Sequence, residues 1–68
     1  MEGKTKYIYN AEVEVIDNNG ITLQFDEVLY MEFGKYFKIL QDHEEVLSGF
    51  TQQVKNIKYS NKEDVVYI

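Results

Sequence analysis

The sequence predicts an all-β protein, a small antiparallel meander of about six short strands curled into a barrel or a strongly bent sheet. Apolar side chains recur at every second position in several stretches, which is the spacing that places them on one face of a strand. Short polar segments with Gly, Asn or Asp separate these stretches, as tight turns do. No linker or composition shift divides the 68 residues, so a single domain over 1–68 is expected.

The first two strands are predicted to form a hairpin. The odd positions are apolar or aromatic over 7–15 and again over 21–25, which assigns the odd set to the core. A three-residue loop over 18–20 keeps these sets on one face and puts Gly20 at a left-handed position. A two-residue Asn19-Gly20 turn would set core positions against surface positions. The pairs expected from the longer loop are Val15 with Leu23 and Val13 with Phe25.

The same parity makes predictions for other residues of these strands. Tyr7 and Tyr9 are expected in the core, whereas Ile8, Ile16 and Val28 are expected on the outer face. Outward apolar side chains in turn favour a second buried face or an oligomer interface.

Residues 16–27, IDNNGITLQFDE, also admit a calcium-loop interpretation, because six side chains or turn positions resemble those of a binding loop. These are Asp17, Asn18, Asn19, Gly20, Asp26 and Glu27. A helix–loop–helix calcium site needs a helix on each side of the loop and oxygen ligands at alternate positions. Both flanks have the strand period here, and apolar side chains occupy the later loop, so the turn is favoured.

The middle of the chain predicts a bulge followed by a second hairpin. The alternation breaks at 26–27 and resumes with Leu29, Met31 and Phe33, which are expected to face the core. A tight loop over 34–36 is predicted next. It pairs Phe33 with Phe37, Met31 with Ile39 and Glu32 with Lys38.

The last third is predicted from weaker signals. Residues 42–45, DHEE, form a polar turn before a strand at about 46–50. A short helical turn near 51–56 is the alternative to a further strand there. The final stretch, VVYI, is an apolar edge strand that is expected to pair with a second copy.

Composition excludes several function classes. The chain has no cysteine and one histidine, His43, so disulfides, thiolate metal sites and multi-histidine sites within one chain are excluded. The net charge of −5 disfavours direct nucleic-acid binding. The sequence shows no signal peptide or membrane span, which predicts a cytoplasmic location. A chain this short commonly needs a staple, and the one that remains is association with itself or with another protein. A homodimer is the form expected here.

The candidate functional residues are acidic or aromatic. No catalytic constellation, metal site or cofactor site is predicted, and the chain is expected not to be an enzyme. The DHEE segment around His43 is interpreted as a solvated turn. The partner-binding candidates are Glu12, Glu14, Asp26, Tyr30 and Tyr36. An alternative ligand site at a homodimer interface uses Tyr36, Lys55, Lys58 and Tyr59.

These features predict a non-enzymatic protein–protein interaction module with an acidic and aromatic surface. Its partner is expected to be a protein, for example a basic or nucleic-acid-binding one. The composition, rich in Lys, Asn, Ile and Tyr and free of Arg, resembles that of short acidic phage proteins of low-GC bacteria. That resemblance implies an inhibitor that occupies a host or defence protein. The alternatives are a nucleotide-binding sponge and a small-barrel nucleic-acid binder.

Overall fold

The computed structural model describes residues 5–68, and Met1–Lys4 of the predicted 1–68 domain lie outside the described residues. The described part forms six antiparallel strands and two 3-10 turns, Thr51–Gln53 and Lys62–Asp64. The strands are β1 (Thr5–Ile16), β2 (Thr22–Phe33), β3 (Tyr36–Gln41), β4 (Glu44–Phe50), β5 (Val54–Lys58) and β6 (Val65–Tyr67). The predicted all-β class is confirmed, and the helical turn expected near 51–56 is a 3-10 turn that leads directly into β5.

The strands form one sheet in the order β4-β3-β2-β1-β5. The first four strands are a meander, and β5 returns to pair with the free side of β1. The short β6 pairs with the first part of β1, so the VVYI segment covers an edge of its own chain. Pairing of this segment with a second copy stays a prediction.

The sheet is strongly bent, because a short connection joins its two opposite edges. In a flat sheet, β4 and β5 would lie four strand spacings or about 19 Å apart. The four residue steps from Phe50 to Val54 span at most about 14 Å even when fully extended. The sheet therefore curls to bring these ends together, although β4 and β5 form no ladder within residues 5–68 and the predicted barrel does not close.

The first hairpin has the predicted register. Val13 pairs with Phe25 and Val15 with Leu23, and Gly20 has a φ of 80°. One carboxylate oxygen of Asp17 accepts hydrogen bonds from the backbone N–H groups of Asn19 and Ile21, each at 2.9 Å. Asp17 therefore stabilises the loop itself, and the turn interpretation of this stretch is confirmed.

A bulge in β1 overturns the predicted core positions Tyr7 and Tyr9. Asn10 has a φ of 54°, and the pairing with β2 shifts register between Ile8 and Ala11. The extra residue reverses the parity, so Ile8 is buried while Tyr9 is 43% exposed. Ala11, Val13 and Val15, beyond the bulge, are buried as predicted.

The bulge predicted at 26–27 is present, but the faces beyond it are the reverse of those predicted. Glu27 has a φ of 56°, and Val28 and Tyr30 are buried. Leu29, Met31 and Phe33 therefore lie on the outer face, because side chains alternate along the strand. The predicted core positions of these three residues are wrong.

The predicted pairing of β2 with β3 is wrong by one residue. The turn has two residues, Gly34 and Lys35, with the positive φ of 64° at glycine that a type II′ turn places first. The observed pairs are Phe33 with Tyr36, Glu32 with Phe37 and Met31 with Lys38. Phe37 and Ile39 face the core as predicted. Their partners on β2 are Glu32 and Tyr30, in place of the predicted Phe33 and Met31.

The DHEE turn is also shorter than predicted. Asp42 and His43 both have positive φ, 54° and 68°, as in a type I′ turn, and β4 begins at Glu44.

The core lies on the inner side of the curl. Its buried members are Ile8, Ala11, Val13, Val15, Val28, Tyr30, Phe37 and Ile39. Within residues 5–68, no helix has the length and hydropathy to cross a membrane.

Candidate functional site: an aromatic surface on the outer face

Three aromatic side chains form a row across the outer face of β2, β3 and β4. Phe33 is paired with Tyr36, and Tyr36 is paired with Phe50, so the three residues are cross-strand neighbours on one face. The ring centroids are 6.5 Å apart for Phe33 and Tyr36 and 5.1 Å apart for Tyr36 and Phe50. Their side chains are 37%, 52% and 53% exposed, respectively. We call Phe33, Tyr36 and Phe50 the aromatic surface.

Local backbone features hold this row in place. The tight Gly34-Lys35 turn sets Phe33 directly opposite Tyr36. At the other end of the row, the backbone N–H of Phe50 donates to the side-chain carbonyl oxygen of Gln53 at 3.0 Å. The amide nitrogen of Gln53 in turn donates to the backbone carbonyl of Ile16 at 3.2 Å. The end of β4 is thus tied to the end of β1 across the curl of the sheet.

Gly49 makes this arrangement possible. A Cβ atom at this position would lie 2.5 Å from the side-chain oxygen of Gln53 and 3.2 Å from the ring of Phe37. A side chain here would displace the Gln53 amide from the Phe50 backbone. The glycine therefore fixes where Phe50 projects from the outer face.

One lysine and one glutamate lie beside the aromatic surface. The Lys38 ammonium lies 3.6 Å from a Glu45 carboxylate oxygen and 6.0 Å from the centroid of the Phe33 ring. The Lys38 and Glu45 side chains are 38% and 49% exposed, so water screens this pair and it adds little stability. Beyond Lys38, the next outer row pairs Leu29 with Leu40. The outer face of β2–β4 is therefore largely apolar.

An open concavity of about 410 Å³ borders the aromatic surface. It is lined by Lys35, Phe50, Thr51 and Gln52. The backbone N–H of Thr51 donates to the Lys35 carbonyl at 2.8 Å, which fixes the 3-10 turn against the β2–β3 turn. A protruding side chain of a partner fits such a concavity beside exposed aromatic rings.

The predicted acidic residues form a separate group on the outer face of β1 and β2. Glu12 and Glu14 line a shallow concavity of about 60 Å³ with Gln24, Asn56 and Lys58. We call Glu12, Glu14 and Asp26 the acidic surface. The two concavity-lining glutamates are Cα partners of β5 residues, Glu12 of Lys58 and Glu14 of Asn56. Lys58 offsets part of the negative charge at this surface.

The bulge in β2 sets two carboxylates of β2 against one of β1. The regular pairs on either side are Val13 with Phe25 and Ala11 with Val28, so Glu12 opposes both Asp26 and Glu27. Asp26 also accepts a hydrogen bond of 2.9 Å from the side-chain amide of Gln24.

Tyr30 is not available to a partner, which corrects its predicted exposure. Its side chain is 1% exposed and its ring stacks on Phe37 with a centroid distance of 5.9 Å. The hydroxyl donates to a Glu32 carboxylate oxygen at 2.9 Å. Burial, with the hydrogen bond to the Glu32 carboxylate and its negative charge, raises the pKa of Tyr30 well above its usual range. Tyr30 is a core residue with a satisfied hydroxyl.

The residues of the predicted ligand site do not share one cavity within a single chain. Lys58 and Tyr59 line a concavity with Asn10, Glu12 and Ser60. Tyr36 packs on Phe50 on another part of the sheet, and β2 and β1 separate β3 from β5 in the strand order. Lys55 is exposed on β5. A nucleotide site built from all four residues would require a second copy.

The histidine of the DHEE turn lines a further concavity, with Asn10, Glu27 and Asp42 among its neighbours. Across the described range 5–68, no three His, Cys, Asp or Glu side chains are arranged to hold a metal ion.

Sequence reasoning missed Phe33 and Phe50 as surface residues. Odd-position parity continued past 26–27 predicts that Phe33 faces the core. The bulge adds a residue there and reverses the parity, so Phe33 faces outward. A two-residue Gly34-Lys35 turn signals that Phe33 and Tyr36 share a face, but it does not show which face is buried. No local signal marks Phe50, because its exposure depends on which side of β4 faces the curl.

Comparison with protein-family models, curated proteins and solved structures finds no match to this chain.

Proposed function

We propose that this protein is a non-enzymatic interaction module that binds another protein chain through the aromatic surface. The observation that carries the proposal is the row of three exposed, mutually contacting rings on the face opposite the core. Rigid aromatic side chains bury a large area for little loss of conformational entropy, and they are enriched at protein interfaces. Soluble proteins rarely expose such groups together without a partner.

The chemistry around the row supports a protein partner over the alternatives. The aromatic surface lies beside an open concavity and one screened Lys38–Glu45 pair, which is the pattern of an apolar contact with a polar rim. A nucleic-acid site needs clustered cations along a groove. The basic side chains next to the rings are Lys35 and Lys38, and two lysines do not form such a cluster. An inhibitor that occupies a host or defence protein is the specific form of this proposal that the composition favours.

The acidic surface is the second candidate contact. It is well separated from the aromatic surface along the sheet, and Lys58 offsets part of its charge. A basic partner would be bound there more weakly and with strong salt dependence. The proposal therefore assigns the main contact to the rings.

The test is affinity capture from a lysate of a low-GC bacterium, with tagged wild-type protein as bait and untagged protein added. The Tyr36→Lys and Phe50→Lys double variant removes two rings of the aromatic surface. Tyr59→Lys is the matched control, because Tyr59 is 47% exposed and lies outside that surface. The wild type and the control are expected to retain the same chain in stoichiometric amount, either a cellular protein or the untagged copy, and the double variant to lose it. Equal capture by all three baits, or no stoichiometric capture at all, would contradict the proposal.

A further inference from the structure

We infer that the partner on the aromatic surface is a second copy of this chain, with the outer faces of β2–β4 of two copies packed against each other. This inference rests on the proposed function and names its partner. The two faces would stack as sheets do in a β-sandwich, about 10 Å apart. Tyr36 is the first residue of the middle strand and lies between Phe33 and Phe50, so its ring is the middle one of the aromatic row.

The charge distribution favours self-association at this face. The chain has a net charge of −5, so two copies repel each other in general. Glu12 and Glu14 lie on β1, and Asp26 lies on the first half of β2, which β3 does not pair with. These carboxylates are therefore outside the part of the outer face where β2, β3 and β4 lie side by side. The face itself carries one cation and one anion that lie near each other, Lys38 and Glu45. In a twofold arrangement each copy then offers both signs to the other, as a self-complementary contact requires.

The area of the face fits a small but specific dimer. Three aromatic side chains with the exposed fractions of Phe33, Tyr36 and Phe50 present roughly 300 Å² in total. Val46, which is 43% exposed, and the partly exposed Leu29, Met31 and Leu40 extend this area. The sum approaches the lower end of specific interfaces, about 600 Å² per partner. A reversible dimer is therefore expected, and it would dissociate on dilution.

The small core supplies a reason for the second copy. Within residues 5–68, eight side chains form the buried cluster, on one side of a single curled sheet. A sheet is stable when apolar side chains on a face are covered by another layer. Where β2, β3 and β4 lie side by side, the outer face has apolar residues in both its aromatic row and its Leu29–Leu40 row, and no other element of residues 5–68 forms a layer over them. A second copy of the same face covers both rows at once.

Sedimentation velocity over a range of protein concentrations tests this inference, with native mass spectrometry to give the mass. The wild type is expected to shift from monomer to dimer as concentration rises. Tyr36→Lys is expected to raise the dimer dissociation constant by at least about tenfold, because it removes the middle ring of the aromatic row and adds a like charge to both faces. Tyr59→Lys, which adds the same charge elsewhere, is expected to leave the constant unchanged.

A milder variant and a folding check keep the result interpretable. Phe50→Ser removes one exposed ring without adding charge, and far-ultraviolet circular dichroism shows whether each variant keeps its sheet. A wild type that stays monomeric at all concentrations overturns the second-copy inference. A dimer that persists unchanged in folded Tyr36→Lys and Phe50→Ser also overturns it, since the contact then lies elsewhere, for example at the β6 edge.

The outcome is separable from that of the proposed function. A monomeric wild type that captures a cellular protein through the aromatic surface would leave the proposed function standing and replace the second copy by that protein. A dimer that Tyr36→Lys dissociates supports both. Additional mass on the dimer in native mass spectrometry would indicate a bound ligand, and a dimer that dissociates when this ligand is removed would overturn direct contact of the two faces.

Discussion

The outer face of the sheet has two regions of opposite chemistry, and one strand contributes to both. The first half of β2 contributes Asp26 to the acidic surface, and its second half contributes Phe33 to the aromatic surface. Glu27, the bulged residue with positive φ, lies between the two halves. The inner face is apolar on both sides of the bulge, as Phe25, Val28 and Tyr30 show.

The difference shows that the bulge gives each half of β2 its own outer surface. Before the bulge the even positions face outward, and they are polar. After it the odd positions face outward, and they are apolar. Without the extra residue, Leu29, Met31 and Phe33 would turn inward and Val28 and Tyr30 outward. The aromatic surface exists because one residue was added to the strand.

Deletion of Glu27 is expected to have the largest effect, because it exchanges the two faces of the second half of β2. Val28 and Tyr30 would lose their buried positions, and each such side chain contributes about 1.5–3 kcal/mol. Together with the lost packing on Phe37, this removes most of the stability of a small domain, about 5–15 kcal/mol. Urea unfolding is expected to show no cooperative transition for the deletion variant.

Glu27→Gly is the matched control for that deletion. It retains the residue count and suits the φ of 56°, so its free energy of unfolding should stay within about 1 kcal/mol of the wild type. A deletion variant that unfolds cooperatively near the wild-type midpoint would show that the bulge does not determine the faces.

Removal of a buried aromatic ring is expected to have the next largest effect on the free energy of unfolding, and removal of an exposed ring a much smaller one. Phe37→Ala removes a ring that is 1% exposed and should lower the free energy of unfolding by about 3–5 kcal/mol. Phe50→Ala removes a ring on the neighbouring strand that is 53% exposed, and should cost less than about 1 kcal/mol in the monomer. Urea unfolding at low protein concentration measures both. Similar costs for the two variants would mean that Phe50 belongs to the core.

Tyr30→Phe is expected to have a smaller effect that depends on pH. The variant keeps the buried ring and loses the hydrogen bond to Glu32, so about 1 kcal/mol of stability should be lost at neutral pH. The raised pKa of Tyr30 means that the folded state holds its proton while the unfolded state releases it above pH about 10. The contribution of the protonated Tyr30 hydroxyl to the free energy of unfolding is therefore fully present below pH about 10. It is lost as the pH rises from there through the raised pKa of the folded state.

Urea midpoints at neutral pH and just above pH 10 measure this contribution. The wild type should lose more stability over the interval than Tyr30→Phe does. Parallel losses in the two proteins would contradict a buried, hydrogen-bonded hydroxyl at Tyr30.

The acidic surface is expected to give the smallest effects. Glu12→Gln removes the cross-strand attraction to Lys58 and should destabilise the protein by a few tenths of a kcal/mol. Glu14→Gln, opposite the uncharged Asn56, should be neutral or slightly stabilising because it reduces the local negative charge. Thermal unfolding at low and high salt measures both changes, and the difference between the variants should shrink at high salt. A loss above about 1 kcal/mol for Glu14→Gln would show that this carboxylate has a structural partner.

Much of the fold could be predicted from sequence because it depends on local patterns. The Asp17–Gly20 turn, the pairing of Val13 with Phe25 and the bulge at 26–27 all follow from alternation and turn chemistry. The site could be predicted only in part. Glu12 and Glu14 are on the outer face as expected, whereas Tyr36 begins β3 and does not lie in the predicted loop over 34–36. Tyr30 is in the core, and the exposure of the Phe33 and Phe50 rings was not predicted.

By itself, the sequence determined that this chain is an antiparallel β protein with a tight, Gly20-dependent first hairpin, since period two and turn residues act over a few positions. Which side chains face inward beyond each bulge depends on the assembled sheet. A bulge changes parity by one residue. No break in the pattern marks Asn10, and the break at 26–27 predicts a bulge without showing which face the later residues take. Whether Asn10 or Glu27 is paired or extra depends on how β1 fits β2 over the whole ladder and on how the sheet curls to join β4 to β5. That long-range fit, which local patterns do not encode, put Tyr30 inside and the aromatic surface outside.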